Sequence, residues 1–292
     1  MAGFFGLFDY NRPGPGVPHP DDAPPKARIV VFFEVFTRKF WNLVKINMMF
    51  SVFNLPALVA VFFASWFVLQ KNLGGDALSD LFMRFIFGSV VLCIPLITVG
   101  PAQAGLTYIL RNYAREEHAF IWGDFIENAK RNFKEGIIIS VIDFIAVIIF
   151  GIALNFYTSS TANNLLMTFA SAFLILSFVI FLMMHMFIYP MLVTFKLSVK
   201  QLYKNALVFA LARFLPNLGI LLICVLLVLV TFYFNTMIGL VLFPLITVSL
   251  VGLIINFYVY PLMTKYLIDK AEGLESEAAG NAEIKESTRR SK

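Results

Sequence analysis

Four polar side chains stand inside otherwise apolar runs of this sequence: Asn54, Asp143, His185 and Asn256. A carboxyl and an imidazole can pass a proton between them, and a carboxamide can both give and accept hydrogen bonds. Asp143 lies nine residues beyond Lys134, Asn54 nine beyond Lys45, and Asn256 nine before Lys265. His185 precedes Pro190 by five residues, and Asn256 precedes Pro261 by the same interval. At 1.5 Å per helical residue, these offsets place all four about 10–15 Å inside an apolar segment. Polar groups at that depth in a membrane are costly, and they face protein or water. Together they define an intramembrane polar layer with two open readings. One is glue between helices, with Asp143 paired to His185 or protonated and the asparagines bridging helices. The other is a cavity that admits a solute or protons.

No other constellation points to catalysis. The sequence has no phosphate loop, no H-E-x-x-H and no G-x-S-x-G. Its three histidines, His19, His118 and His185, have no metal-ligand spacing. Glu116, Glu117 and His118 suggest acid–base chemistry, but with Arg111 and Arg115 alongside they read as a solvated helix face. Cys93 and Cys224 both sit in apolar runs and make no disulfide framework. The expectation is a protein without enzymatic activity, metal or cofactor.

The elements that must hold the polar layer follow from composition. Of 292 residues, 59% are hydrophobic and only 14% charged, a balance suited to an all-α, polytopic membrane protein. Six runs approach or exceed the roughly 20 apolar residues that cross a bilayer. They are residues 46–69, 85–110, 136–156, 165–194, 217–234 and 237–262, within a single membrane domain of residues 28–270. Residues 1–27 are rich in proline and read as an extended tail, and residues 271–292 as a disordered one. Basic residues set the orientation. Arg12, Lys26, Arg28, Arg38, Lys39 and Lys45 precede the first run, and Arg111, Arg115, Lys130, Arg131 and Lys134 follow the second. Lys196, Lys200, Lys204 and Arg213 follow the fourth, and Lys265, Lys270, Lys285, Arg289, Arg290 and Lys292 follow the last. Only Lys71 and Arg84 fall on the other side, so 21 stand against 2. Positive loops stay in the cytoplasm, which places both termini there. The net charge of +5 then reflects topology and an anionic bilayer, with no nucleic-acid partner implied. Trp41 and Trp66 stand near opposite ends of the first run, where interfacial tryptophans belong.

The runs pair into three hairpins. Pro95, Pro190 and Pro261 hold the same place near the inner ends of the second, fourth and sixth, in "CIPLITVG", "IYPMLVTF" and "VYPLMTKY". A basic residue precedes a phenylalanine in "FTRKFW", "AKRNFK" and "LARFLP", before the first, third and fifth. Gly100, Pro101, Pro190 and Pro261 are expected helix breaks, read either as packing kinks or as hinges. Gly100 and Ala104 share a helix face on which a neighbour can approach closely. Amphipathic connecting helices lie outside the bilayer. In one, Trp122, Phe125, Ile126, Ala129 and Phe133 form an apolar stripe, and Asp124, Glu127, Asn128 and Arg131 face away. That polar face, with Asp124, Glu127 and Arg131, is a candidate docking surface for a cytosolic partner. "RIVVFFEVFTRKFW" carries a similar stripe of Ile29, Phe32, Phe33, Phe36 and Phe40.

The stretch "PLITVGPAQAGLTYILRNYAREEHAFIWGDF", the following "NAKRNFKEGIIISVIDF" and the opening "FFGLFDYNRPGPGV" resemble the signature of the YesL-like family of bacterial membrane proteins. The resemblance covers most of residues 1–150, and "YPMLVTFKLSVKQLYKNALVFAL" is its best anchor further on. It departs in the first hairpin, where about 35 residues separate "INMMFSVFNLP" from "IPLITVGPAQAG". Members of the family are associated with carbohydrate uptake, and the resemblance implies a multi-pass protein of the bacterial plasma membrane. It names no catalytic residue. Two functions follow as expectations. The first is a carrier, channel or accessory subunit for uptake of a solute, with carbohydrate-transport components as partners. The second is a membrane-anchored scaffold or regulator that docks a cytosolic partner. The oligomeric state and the solute are not legible.

Overall fold

The computed structural model describes residues 26–69, 77–159, 165–233 and 235–268, except the side chains of 61, 64–69, 77–79, 81–94, 158, 159, 267 and 268. The tails at 1–25 and 269–292, Lys71, and the side chains of Trp66, Arg84 and Cys93 lie outside this description. Among the described residues every regular element is helical: α1 Arg28–Phe53, α2 Leu55–Leu69, α3 Ala77–Ala114, α4 Ile121–Arg131 and α5 Phe133–Ser159. There follow α6 Leu165–Thr194, α7 Val199–Ala212, α8 Phe214–Tyr233, α9 Thr236–Leu242 and α10 Val248–Met263. A π-helical turn, Phe243–Thr247, joins α9 to α10, and a second, Thr264–Ile268, follows α10.

Polar residues and prolines at the joints explain the boundaries. The first apolar run is divided, because Asn54 leaves the helical conformation and Pro56 has no N–H to give to the carbonyl four residues back. The expected span 46–69 is therefore two helices, and its first part continues the basic segment from Arg28. At the start of α4, Asp124 Oδ2 accepts from the Phe120 N–H at 2.8 Å. Ser198 and Gln201 form a reciprocal capping box at the start of α7. Asn235 Oδ1 accepts from the N–H groups of Met237 and Ile238 and starts α9.

Among the described residues, four helices are long and apolar enough to cross a membrane: Phe133–Tyr157, Leu165–Thr194, Phe214–Tyr233 and the composite Thr236–Tyr266. These correspond to the expected spans three to six. Between 6% and 22% of their most apolar windows is buried within the protein. Ile145, Ile152, Phe169, Phe173, Leu222, Leu226, Met237 and Val241 are all exposed. Water would not tolerate such a surface, whereas hydrocarbon does. The chain is thus a helical membrane protein.

Packing concentrates at the end that carries the basic residues. α3 is central and touches α1, α2, α4, α5, α6 and α10. One buried cluster joins Leu43 and Ile46 of α1 to Leu106, Ile109 and Tyr113 of α3, Phe125 of α4 and Leu253 of α10. A second joins Ala104, Ile139, Phe187, Met191, Leu202 and Val259, from α3, α5, α6, α7 and α10. Both lie in the halves of the helices nearest the basic loops. The other halves of α5, α6 and α8 carry mostly exposed apolar side chains.

Candidate functional site

Asp143 is the one acidic residue in the long apolar helix Phe133–Tyr157 beyond its first turn. It sits ten residues from the start of α5, about 15 Å along the axis. His185 sits nine residues before the end of α6, at a matching depth. The structure brings the two together: His185 Nε2 is 2.7 Å from Asp143 Oδ1. A third group arrives from α7, where the Tyr203 hydroxyl donates to the same Oδ1 at 2.9 Å. The other imidazole nitrogen, Nδ1, is 3.0 Å from the carbonyl oxygen of Phe181.

These contacts determine the proton inventory. A backbone carbonyl only accepts, so Nδ1 carries a hydrogen and donates. Nε2 and Oδ1 need one more proton between them. With it on nitrogen the pair is imidazolium and carboxylate; with it on oxygen the pair is imidazole and carboxylic acid. Both forms are electrically neutral, and both satisfy every hydrogen bond. A low-dielectric setting favours that neutrality. Both side chains keep about a quarter of their surface exposed, 24% for His185 and 26% for Asp143, so the pair is not sealed. Burial and the nearby Asp143 carboxylate push the Tyr203 phenol well above its ordinary range. It stays a hydrogen-bond donor. The arrangement can hold one proton between two helices, on either side chain.

The other two members of the expected layer do not join this pair. The Asn54 and Asn256 amides donate within their own helices, to the carbonyls of Phe50 and Gly252. Their Oδ1 atoms are buried without a hydrogen-bond partner. Among the asparagines that do bridge helices are Asn47 and Asn217. Asn47 Nδ2 donates to the Phe243 carbonyl and its Oδ1 accepts from the Ser249 N–H, each at 2.8 Å. It thus supplies partners on both sides of the π-helical turn, where Pro244 interrupts the ladder. Asn217 donates to the carbonyls of Phe209 and Ala210 and accepts from the Tyr258 hydroxyl at 2.7 Å. Proline two residues or fewer from an asparagine, as at Pro216, was the available sequence signal for the second; for Asn47 the partner is 196 residues away.

The expected breaks at Gly100, Pro101, Pro190 and Pro261 are not interruptions. α3 runs through Pro95 and Pro101, α6 through Pro190 and α10 through Pro261. Each proline removes one rung, and packed neighbours hold the rest of the helix in place. Gly100 has a different role: it lies against Gly136 of α5, where a Cβ would come 2.0 Å from the Gly136 carbonyl oxygen. Of the expected stripe, Phe125 on α4 is fully buried, while Trp122 on α4 and Phe133 at the start of α5 are exposed. Asn128, assigned to the outer face, is buried instead, because α4 packs on α3. Glu127 and Arg131 are exposed, whereas Asp124 is committed to starting the helix. Arg111, read as part of a solvated face, is 7% exposed. Glu116, Glu117 and His118 remain exposed, with Arg38–Glu116 and Arg115–Glu117 ion pairs at 3.5 and 2.6 Å.

Among the described residues no group of three histidine, cysteine or acidic side chains could hold a metal. No curated protein and no solved structure matches the chain. A family model described as "Protein of unknown function, DUF624" matches residues 43–156, which run from the second half of α1 into α5 and include Asp143 but neither His185 nor Tyr203.

Proposed function

We propose that this chain is a multi-pass protein of the bacterial plasma membrane that takes part in solute uptake, with carbohydrate as the solute class, as a carrier, channel or accessory subunit. Both termini lie in the cytoplasm in this reading, and α1, α2 and α3 complete a six-span arrangement. One observation carries it: Asp143 and His185, on two long apolar helices, hold one proton between them, the Tyr203 hydroxyl of a third helix donates to the same carboxylate oxygen, and the pair remains partly exposed. Titratable groups at that depth in membrane proteins mark ion, proton or substrate paths. The resemblance of residues 93–125 to YesL-like proteins supports the solute class.

The test is uptake of labelled mono- and oligosaccharides into proteoliposomes, with and without an inward proton gradient. Wild type is expected to accumulate at least one sugar in response to the gradient. Asp143→Asn, folded by size-exclusion profile, is expected to lose that response. Absence of uptake by the wild-type protein, alone and with the permease components of its host, would overturn the carrier and accessory readings. Reporter fusions at Ala114 and Lys200 should report cytoplasm, and at Asn235 the opposite side; an outside signal at Ala114 would overturn the orientation. A scaffold without transport activity is the second reading, favoured by exposed Glu127 and Arg131 on α4. Reversing both charges should then weaken capture of a cytosolic partner while leaving the protein folded.

A further inference from the structure

A cavity of about 290 Å³ opens between the α4–α5 joint and the end of α6, lined by Arg131, Asn132, Glu135, Thr194, Phe195 and Lys196 among others. Its position relates it to the polar pair. Glu135 is eight residues from Asp143 on α5, about 12 Å along the axis. Thr194 is nine residues from His185 on α6. The cavity therefore lies on the basic-loop side of the pair, along the same two helices.

Its electrostatics are lopsided. Arg131 ends α4 and Lys196 lies in the link from α6 to α7, and among the described residues neither has a carboxylate within ion-pair distance. A third cation reaches the wall from behind. Arg111 Nη1 donates to the Val193 carbonyl at 2.9 Å and to Thr194 Oγ1 at 3.2 Å, and both residues line the cavity. Arg111 is 7% exposed. It makes no ion pair among the described residues; its other contacts are Asn112 Oδ1 at 3.0 Å and the face of Tyr108, 4.6 Å from the guanidinium carbon. A buried guanidinium needs compensation, and carbonyls and an amide supply only partial charge. The start of α5 brings the positive end of its dipole beside Asn132, while the last turn of α6 brings a negative end that Arg111 offsets at the Val193 carbonyl. Glu135 is the only acidic side chain in the lining.

Arg131 and Lys196 on the wall, with Arg111 behind it, against the carboxylate of Glu135 leave a net positive field that suits a dianion. A phosphate group carries about −1.5 to −2 charges and offers three strong acceptor oxygens. A water molecule occupies about 30 Å³ of liquid, so the cavity has room for a phosphate with a small organic remainder. We propose that this cavity binds a phosphate group, borne by a small soluble ester or by a lipid headgroup at the membrane surface. It is independent of the proton shared by Asp143 and His185.

The test uses the full-length protein in neutral detergent and reads the thermal unfolding midpoint. One arm adds inorganic phosphate against chloride at equal ionic strength. The other adds phosphatidylglycerol against phosphatidylcholine in mixed micelles. A saturable rise in the first arm assigns a soluble ligand, and a rise confined to the second assigns a headgroup; either supports the proposal if it disappears in Arg131→Gln and Lys196→Gln. Both side chains are exposed, so neither substitution threatens the fold. Glu135→Gln should act in the opposite direction and lower the half-saturating concentration about fivefold, because it removes the one repulsive charge. Asp143→Asn should leave the response in place, which keeps this result separate from the uptake experiment. No rise in either arm, or a rise unchanged in Arg131→Gln, Lys196→Gln and Glu135→Gln, would overturn it.

Discussion

Replacing Gly100 by alanine should destabilise the protein out of proportion to one methyl group. A Cβ at Gly100 would lie 2.0 Å from the Gly136 carbonyl oxygen, 2.5 Å from its carbonyl carbon and 2.5 Å from Ser140 Oγ. The obstacle is backbone, which cannot swing aside as a side chain can. Carbon atoms pack best at about 3.5–4.0 Å, so α3 and α5 must part by about 1 Å or more. A gap of that size forfeits about a quarter to a half of each dispersion contact along the crossing. Overpacking of this kind costs about 1–3 kcal/mol. Gly151, also on α5, is the control, since a Cβ there meets nothing within 4 Å. Alanine at Gly151 should stabilise by about 1 kcal/mol through helix propensity alone. Both positions lie inside helices and gain the same propensity, so the two changes should differ by the overpacking cost alone, about 1–3 kcal/mol. Unfolding in mild detergent, followed by ellipticity and size exclusion, reads the difference. Equal midpoints for Gly100→Ala and Gly151→Ala would refute the close crossing.

The losses in Asp143→Ala and His185→Ala should add up to more than the loss in the double variant, with a coupling of about 0.5–3 kcal/mol; strictly additive losses in a thermal double-mutant cycle would argue against direct contact. Asn47→Ala leaves the Phe243 carbonyl and the Ser249 N–H without their partner. Its cost should be about 1–3 kcal/mol for each orphaned group, and amide exchange should rise first around Phe243–Thr247. Tyr203 has a folded-state pKa above its ordinary value of about 10, owing to burial and Asp143. Its contribution is therefore complete below pH 10 and lost as pH rises beyond it. Tyr203→Phe should flatten the stability profile above pH 10 relative to wild type, and an unchanged slope would remove Tyr203 from the pair.

The sequence by itself determined that this is an all-helical membrane protein and where its later spans lie. Runs of about 20 apolar residues are a local property, and the solvent that suits them follows from composition alone. It also singled out Asp143 and His185, because a titratable group inside such a run is conspicuous wherever it points. It offered their pairing as one of two readings, which the 2.7 Å contact matches, but it could not supply the remaining partners. Tyr203 looks unremarkable in "KQLYKNA", and only the return of α7 alongside α5 and α6 carries its hydroxyl to Asp143. Asn54 and Asn256 looked equivalent to the pair by depth, yet depth does not specify azimuth, and each amide turns back on its own helix. Pro101, Pro190 and Pro261 were read as kinks or hinges, and the helices run on through them, since a single missing rung is tolerated where tertiary neighbours hold the helix on both sides. Arg111 counted as one more positive loop charge; the end of α6, 82 residues away, turned it into a buried cation. Local chemistry thus decides which segments enter the membrane, and the packing of helices distant in sequence decides which polar groups meet there.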